Sequence, residues 1–161
     1  MFKHILVAVD GSTYSNGAVP TAIEIARKFG SDILVVHVHE HDRGRNVVYS
    51  SESPADATRL VGNAVKVIRD AGIDAQSKVL DLAPGHIAKA IVETAGTNHI
   101  DLIVMGSRGL SDIEGLLLGS VTHKVIQLAT VPVLVDRASA IKETSAEAVP
   151  KAVLQPVHAA G

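Results

Sequence analysis

The sequence contains no cysteine and very few aromatic residues. Its 161 residues include no tryptophan, and Phe, Tyr and Trp together account for 2% of the chain. The lack of cysteine excludes a disulfide scaffold and a thiol nucleophile, and it is compatible with a reducing compartment. Because 47% of the residues are nevertheless hydrophobic, the core must consist mainly of Val, Ile, Leu and Ala. Such a core is typical of helices packed on a buried parallel sheet.

A strong charge of one sign and long apolar runs are absent as well. The formal net charge is −2, so no overall positive field attracts nucleic acid or an anionic membrane, and we expect neither as a partner. No apolar run approaches the roughly 20 residues needed to span a bilayer. The N-terminus also lacks the charged start, long apolar stretch and cleavage site of a signal peptide. We therefore expect a soluble cytoplasmic protein.

Short apolar runs alternate with helical patterns along the chain. Four runs are mostly unbroken and rich in β-branched residues, as in strands buried on both faces. They comprise residues 5–9, 33–36, 102–105 and 131–135. A weaker fifth run, residues 73–80, alternates more and is predicted to lie towards an edge. The repeated order of strand and helix predicts an α/β fold, a doubly wound five-stranded parallel sheet with helices on both faces.

The predicted helices have recognisable starts and ends. The first covers residues 14–29 and contains Pro20, so it either begins near that proline or is kinked there. Ser53 caps the second helix and Gly72 ends it, and Pro84 is predicted to open the third. The inward face of the fourth predicted helix comprises Val121, Val125, Leu128 and Ala129.

Two segments show no sustained period. Residues 40–53 are polar and are predicted to form the longest mobile loop. Residues 138–161 consist largely of Ala, Glu, Lys and scattered Pro and are predicted to form a flexible tail. The alternative for the tail is that residues 152–154 dock on a partner or on the domain. The predicted nucleotide-binding domain is therefore residues 1–137.

Residues 105–122 place glycines between a predicted strand and a predicted helix. Glycines let backbone N–H groups approach an anion, and a helix start offers unpaired N–H groups and the positive end of its dipole. Arg108 adds a positive charge, and the hydroxyls of Ser120 and Thr122 add donors. The Walker pattern Gly-x-x-x-x-Gly-Lys-Ser and the dinucleotide pattern Gly-x-Gly-x-x-Gly do not occur. The segment therefore indicates a phosphate site of another kind, and the alternative is a tight turn with a serine N-cap.

Polar residues also follow the first two strands. Asp10, Gly11 and Ser12 come after the first, where ligands bind in open parallel sheets, although Asp10 can equally cap the N–H of Ser12 in a turn. His37, His39 and His41 alternate and would share one face of an extended segment, a pattern that suits Zn²⁺. No fourth ligand is evident, so ordinary histidines at a strand end are the simpler interpretation.

Residues 2–136 resemble the universal stress protein family from end to end, specifically its ATP-binding branch. The signature of that branch is Gly, two residues, Gly, nine residues, Gly, then Ser or Thr. Here it reads Gly106, Gly109, Gly119 and Ser120, with the spacing intact. Residues 4–12 are similar to the first strand and loop of the family, and residues 131–135 to its last strand. The predicted strand order for such a domain is 3-2-1-4-5.

The resemblance implies a role for each residue of the site. Ala8 and Val9 would supply backbone near the adenine, and Val38 would pack beside the base. Asp10 would face the ribose or a phosphate-bound Mg²⁺, and residues 119–122 would hold the phosphates. The predicted nucleotide-binding set is Ala8, Val9, Asp10, Gly11, Ser12, Val38, Met105, Gly106, Arg108, Gly109, Gly119, Ser120, Val121 and Thr122.

The leading hypothesis is an ATP-binding stress-response or signalling protein that switches with nucleotide occupancy and hydrolyses ATP slowly at most. Asp112 and Glu114 depart from the family pattern, because many relatives have basic residues in that interval. Each would cost roughly 1 kcal/mol near a phosphate unless it points outward. The alternatives are a nucleotide-independent dimeric interaction protein and, third, an enzyme of adenylate chemistry. A homodimer is expected through the last strand, by way of Val131, Val133 and Val135.

Overall fold

The computed structural model describes residues 1–40, 42–44, 47–49, 52–109 and 118–137. Capping explains where several helices begin and end: Ser12 and Ser53 accept hydrogen bonds from the backbone of the first turns, and Gly30 closes the first helix with a φ of 64°. In chain order, the elements are β1 (His4–Ala8), α1 (Thr13–Phe29), β2 (Asp32–Glu40), β3 (Asp42–Gly44), β4 (Val47–Tyr49), α2 (Pro54–Asp70), β5 (Ala75–Leu82), α3 (Ile87–Thr97), β6 (Leu102–Gly106), α4 (Ser120–Leu128) and β7 (Val133–Asp136).

The main sheet has five parallel strands in the order β5-β2-β1-β6-β7. Numbered by sequence within this sheet, the order is 3-2-1-4-5, so the predicted fold is confirmed. Ile5 in the central strand pairs with Ile33 on one side and Leu102 on the other. The chain leaves β1 in one direction and later returns to its other side, which places the topological switch point between β1 and β6. The carboxyl ends of all five strands therefore meet at one edge.

Each face of the sheet carries its own core. On one face, α1 and α2 cover side chains such as Val7 and Val104, and on the other, α3 and α4 cover side chains such as Leu6 and Ile103. These four side chains are fully buried, as the unbroken apolar runs predicted. None of the helices in the described part of the chain is long and apolar enough to cross a membrane.

Several element boundaries differ from the predicted ones. The fifth strand of the sequence prediction runs from Ala75 to Leu82 and lies at the edge, as expected, but two residues later along the chain. Pro84 does not open α3. Gly85 has a φ of 89°, a left-handed conformation that a right-handed helix cannot contain, and so α3 begins only at Ile87.

The polar stretch after β2 is not a plain loop. β2 continues to Glu40, and β3 and β4 form an antiparallel pair within the stretch. The last strand begins at Val133, two residues later than predicted, and Leu128 is 51% exposed and does not face inward. Residues 138–161, which contain the predicted tail, lie outside the described residues, as does His41.

Candidate functional site

A cavity of about 800 Å³ opens at the carboxyl edge of the sheet, beside the switch point between β1 and β6. Its size lies within the range of small-molecule sites. All of the predicted site residues line it except Ser12, which lies behind Asp10 and fixes it. The cavity wall includes Ala8, Val9, Asp10, Gly11, Val38, Met105, Gly106, Arg108, Gly109, Gly119, Ser120, Val121 and Thr122.

Asp10 is fixed by the turn that leads from β1 into α1. Its Oδ1 accepts hydrogen bonds from the backbone N–H of Ser12, at 2.9 Å, and from the Ser12 hydroxyl, at 2.6 Å. The Ser12 Oγ in turn accepts from Ser15 N at 3.1 Å and caps α1. The Asp10 carboxylate therefore caps the N–H of Ser12, which was the alternative role predicted from the sequence. It also forms part of the cavity wall. Ser12 holds it in one orientation.

Gly109 passes unusually close to this carboxylate. A Cβ atom built at residue 109 would lie 2.6 Å from Asp10 Oδ2, a distance at which one of the two groups must move. Because Ser12 anchors the other carboxylate oxygen, Asp10 cannot yield without weakening those bonds. The close contact with Asp10, in the turn after β1, thus explains why the second glycine of the signature has no side chain.

Two hydrogen bonds join the start of α4 to the end of β6, and a third joins the end of β6 to β7. The N–H of Gly119 donates to the carbonyl of Ser107 at 2.8 Å, and Ser107 N donates to Asp136 O at 2.9 Å. The buried Thr122 hydroxyl donates to the carbonyl of Gly106 at 2.9 Å. The hydroxyl proton of Thr122 is thus used in a hydrogen bond within the protein. The N-cap, Gly119, has no side chain with which to cover the helix end, so the first N–H groups of α4 lie at the cavity.

The two sides of the cavity differ in character. On the α3 and α4 side the wall is apolar, formed by Val36, Val38, Ile87, Ile91, Met105 and Val121. On the α2 side it carries Asp56, Arg59 and Asn63, with Leu60 against Gly11. A ligand with a flat apolar part and a charged part fits such a division.

The histidines of β2 do not form a metal site in the described part of the chain. His37 and His39 share one face, as the alternation predicted, and both are buried. All four of their ring nitrogens already face oxygen atoms of Val9, Glu52 and Asp81, at 2.7–2.9 Å. Among the residues that the structure describes, no group of three potential ligands is placed to hold a metal ion.

Charges of both signs surround the cavity. Its carboxylates include those of Asp10, Glu52 and Asp56, and its guanidinium groups those of Arg59 and Arg108. The hydroxyl of Ser53, and after it the Arg59 guanidinium, lowers the pKa of Asp56. Asp56 is therefore ionised and paired with Arg59 at neutral pH.

Sequence reasoning missed the α2 wall. Asp56, Arg59, Leu60 and Asn63 follow helical spacing, so a common face could be read from the sequence, but nothing in the pattern shows that this face meets the cavity. Glu52 belongs to no recognisable sequence motif. Asp112 and Glu114, the departures from the family pattern, lie in residues 110–117, outside the described residues.

Comparison with known proteins agrees with this architecture. A model of the universal stress protein family matches residues 1–137. Universal stress protein YxiE of Bacillus subtilis is 32% identical over 151 aligned residues, which cover 85% of this chain and all of YxiE. A solved universal stress protein of Archaeoglobus fulgidus in complex with dAMP is 25% identical, with a TM-score of 0.62 over 84% of this chain and 97% of that one.

A second solved universal stress protein, in complex with cAMP, is 26% identical, with a TM-score of 0.63 over 84% of this chain and 96% of the other. The match to the family model, over residues 1–137, spans the whole main sheet and all four helices. From its sequence and its fold, this chain belongs to the universal stress protein family.

Proposed function

We propose that the cavity binds an adenine nucleotide, with ATP the first candidate, and that the protein acts as a nucleotide-dependent switch in a stress response. One observation carries the proposal. The glycine turn after β6 and the start of α4 converge on a single cavity that also has an apolar wall. One site can therefore bind both the phosphates and the base of a nucleotide.

The phosphates would bind at the start of α4. The unpaired N–H groups of its first turn and the positive end of the helix dipole favour an anion there. Ser120 is exposed at this position, so its hydroxyl can add a donor. Arg108 on the cavity wall adds positive charge.

The base would bind beside the end of β2. Val38 and Met105 flank this part of the cavity, and Ile91 closes it from α3. Burying a planar ring against such side chains is favourable by about 25 cal/mol per Å² of apolar surface removed from water. The backbone groups of Val9 bond to Val36 and His37, so the backbone near Val38, at the end of β2, would select the polar edge of the base.

Asp10 would stand between these two parts, facing the ribose or a Mg²⁺ ion bound to the phosphates. Hard divalent cations prefer carboxylate oxygens, and Mg²⁺ on a nucleotide commonly takes only one or two from the protein. The second carboxylate oxygen of Asp10 approaches Gly109, on the far side of the switch point. That position suits a contact with a ligand lying between β1 and β6.

Three hydroxyls of this region form hydrogen bonds within the protein. Those of Ser12, Ser15 and Thr122 donate to Asp10 Oδ1, Ser12 O and Gly106 O, respectively. They stabilise the loops of the site and are committed to those acceptors. None of these three hydroxyls is placed to act on a phosphate, and we propose slow hydrolysis at most, with a signal that depends on occupancy.

The nucleotide complexes of related proteins support the choice of ligand class. The relatives with dAMP and cAMP bound share this fold over more than four-fifths of the chain. Both ligands contain adenine and a phosphate, the two parts for which the walls of this cavity are suited. We choose ATP because of the glycine signature.

We also propose a homodimer through β7. This strand pairs only with β6 within the described chain and leaves its other edge open. The carbonyls of Pro132 and Asp136 face β6, so the alternate residues Val133 and Val135 turn their backbone groups to the open edge. The missing N–H of Pro132 therefore does not interrupt that edge.

A titration followed by amide NMR tests the nucleotide proposal. ATP should shift the amides of residues 119–122 together with those of Val38 and Met105, and the shifts should saturate. Tripolyphosphate alone should shift only the α4 start, and adenosine only the apolar wall. Shifts confined to surfaces away from the cavity, or no saturating shifts, would refute the proposal.

A further inference from the structure

Two buried histidines on β2 hold the segment that leads into α2. His37 Nδ1 donates to the carbonyl of Val9 at 2.8 Å, and His39 Nε2 donates to the carbonyl of Glu52 at 2.9 Å. The other nitrogen of each ring faces a carboxylate at 2.7 Å. The partner of His37 Nε2 is Glu52 Oε2, and that of His39 Nδ1 is Asp81 Oδ1.

The resulting chain of contacts crosses the carboxyl edge of the sheet. It runs from the end of β1 through His37 on β2 to Glu52, and through His39 to Asp81 on the edge strand β5. Glu52 is held twice, by its carboxylate and by its backbone carbonyl. We refer to His37, His39, Glu52 and Asp81 as the histidine clamp.

The clamp needs protons that a neutral ring cannot supply. A backbone carbonyl only accepts, so His37 Nδ1 and His39 Nε2 each carry a proton. A hydrogen bond to the facing carboxylate then requires a second proton, on the ring nitrogen or on the carboxyl group. A neutral ring carries a single proton, so by itself it can donate to only one of its two acceptors.

We propose that the histidine clamp is a proton-dependent device that holds the α2 wall against the cavity, so that the wall loosens and ATP affinity falls as the pH rises. The part that concerns ATP rests on the proposed function. The clamp itself is a property of the protein without ligand.

The clamp reaches the cavity through the first turns of α2. Glu52 directly precedes Ser53, whose hydroxyl accepts from Asp56 N at 3.1 Å and caps the helix. Asp56, Arg59, Leu60 and Asn63 then line the cavity. A neutral His39 ring holds the Glu52 carbonyl less strongly than an imidazolium does, so the cap and the first turn are less firmly attached to β2 and this wall is less fixed before a ligand arrives.

The direction of the pH effect follows from His39. The carbonyl of Glu52, and after it the carboxylate of Asp81, raises the pKa of His39 above the ordinary histidine value, against the opposing effect of burial. The stability that protonated His39 adds to the folded protein is therefore fully present below about pH 6.5, the ordinary histidine pKa. It is lost as the pH rises through the higher pKa of His39 in the folded state. An imidazolium also favours an anionic ligand in the cavity that it lines.

Other charged groups surround the clamp from each packed element. Asp81 lies on β5, Asp10 follows β1, and Asp56 with Arg59 comes from α2. The Asp81 side chain is 62% exposed, whereas that of His39 is 5% exposed. Solvent therefore screens the outer carboxylate but not the ring, and the carbonyl of Glu52 is the stronger fixed partner. The charged and titratable groups around the two rings include Asp10, Glu40, Glu52, Asp56, Arg59 and Asp81.

The first measurement is amide hydrogen exchange of the ligand-free protein between about pH 6 and about pH 9, corrected for the intrinsic rate of exchange. We expect protection of residues 55–60 to fall by about three- to tenfold as His39 loses its proton. His4→Gln is the control for a histidine outside the clamp, and it should keep the pH dependence of the natural protein. His4 also faces a carboxylate, Asp32, at 2.8 Å, but at the opposite edge of the sheet. Exchange in residues 55–60 that does not depend on pH, after this correction, would overturn the clamp.

The second measurement is ATP affinity over the same pH range for the natural protein, His39→Gln and His4→Gln. Titration of the phosphates affects all three equally. We expect the natural protein and His4→Gln to lose about three- to tenfold more affinity than His39→Gln, and equal pH profiles would overturn the regulatory role. Weak protection at high pH with no ATP binding at any pH would refute the proposed function and leave the clamp standing.

Discussion

At the residue scale, the contact between Gly109 and Asp10 determines the shape of the site. The glycine brings the loop after β6 against the turn after β1, and Ser12 prevents the carboxylate from giving way. The sequence indicated both residues, one by the glycine spacing and the other by its place after a strand. It could not show that they touch, because residues 10 and 109 come together only through the strand order.

Replacing Gly109 with alanine should therefore weaken ATP binding with little effect on folding. The new Cβ displaces Asp10 and weakens a charged hydrogen bond, so we expect a loss of about tenfold, or about 1.4 kcal/mol, by calorimetric titration. Gly62→Ala is the control, since Gly62 lies in α2 with open space around it. An unchanged affinity in Gly109→Ala would remove this contact from the account.

Thr122 illustrates a residue whose type was predicted to be important but whose structural role is different. Its buried hydroxyl ties α4 to the carbonyl of Gly106, and Thr122→Val should lower the free energy of unfolding by about 1–2 kcal/mol. Urea unfolding at constant m-value measures this change. Thr58→Val is the control, because the Thr58 hydroxyl donates to the exposed carbonyl of Pro54, which can bond to water instead. The free energy of unfolding should then change by no more than about 0.5 kcal/mol. Equal effects in the two variants would contradict the role of the buried bond.

At the element scale, helix and strand types followed from the sequence better than their ends did. The apolar periodicity of α2 and its Ser53 cap were predicted and are present, because both depend on neighbours within a few residues. The start of α3 was missed since it depends on the φ of Gly85, whose N–H donates to Glu40 at 2.7 Å. That contact comes from β2, far away in the sequence.

The first helix shows how tertiary structure overrides a local preference. α1 runs unbroken through Pro20, which is exposed and lacks the N–H that would bond to the preceding turn. The buried residues Ala18, Ala22 and Ala26 fix the other side of the helix to the sheet. The cost of the proline is thus offset by packing.

Pro20→Ala should accordingly raise the free energy of unfolding. The recovered hydrogen bond outweighs the gain in unfolded-chain entropy, so we expect a net stabilisation of about 1–2 kcal/mol by urea unfolding. Glu24→Ala, one turn later on the same exposed face, should change stability by less than about 0.5 kcal/mol. A destabilised Pro20→Ala would mean that the proline is needed where it stands.

At the scale of the whole molecule, strand order creates the site. The order 3-2-1-4-5 places the ends of β1, β2 and β6 next to one another, and α2, α3 and α4 close the cavity around them. The family resemblance made this order predictable. The α2 wall and the histidine clamp were not predictable, because they depend on how Glu52 sits over β2, and no local pattern encodes that contact.

The open edge of β7 should bring two copies of the protein together. We expect a dimer by sedimentation equilibrium, and Val135→Lys should weaken it by about tenfold or more, because a charge on an edge strand opposes pairing. Val67→Lys is the control, since Val67 is 52% exposed on α2, well separated in sequence from β7. A natural protein that stays monomeric at working concentration, or a Val135→Lys variant that stays dimeric, would contradict this assembly.

The central claim is that the cavity at the carboxyl edge binds ATP. Calorimetric titration of the folded protein, first stripped of any copurified nucleotide, tests it most directly. The account predicts saturable binding of one ATP per chain with a dissociation constant below the millimolar range in the presence of Mg²⁺. The absence of saturable binding up to millimolar ATP would contradict it.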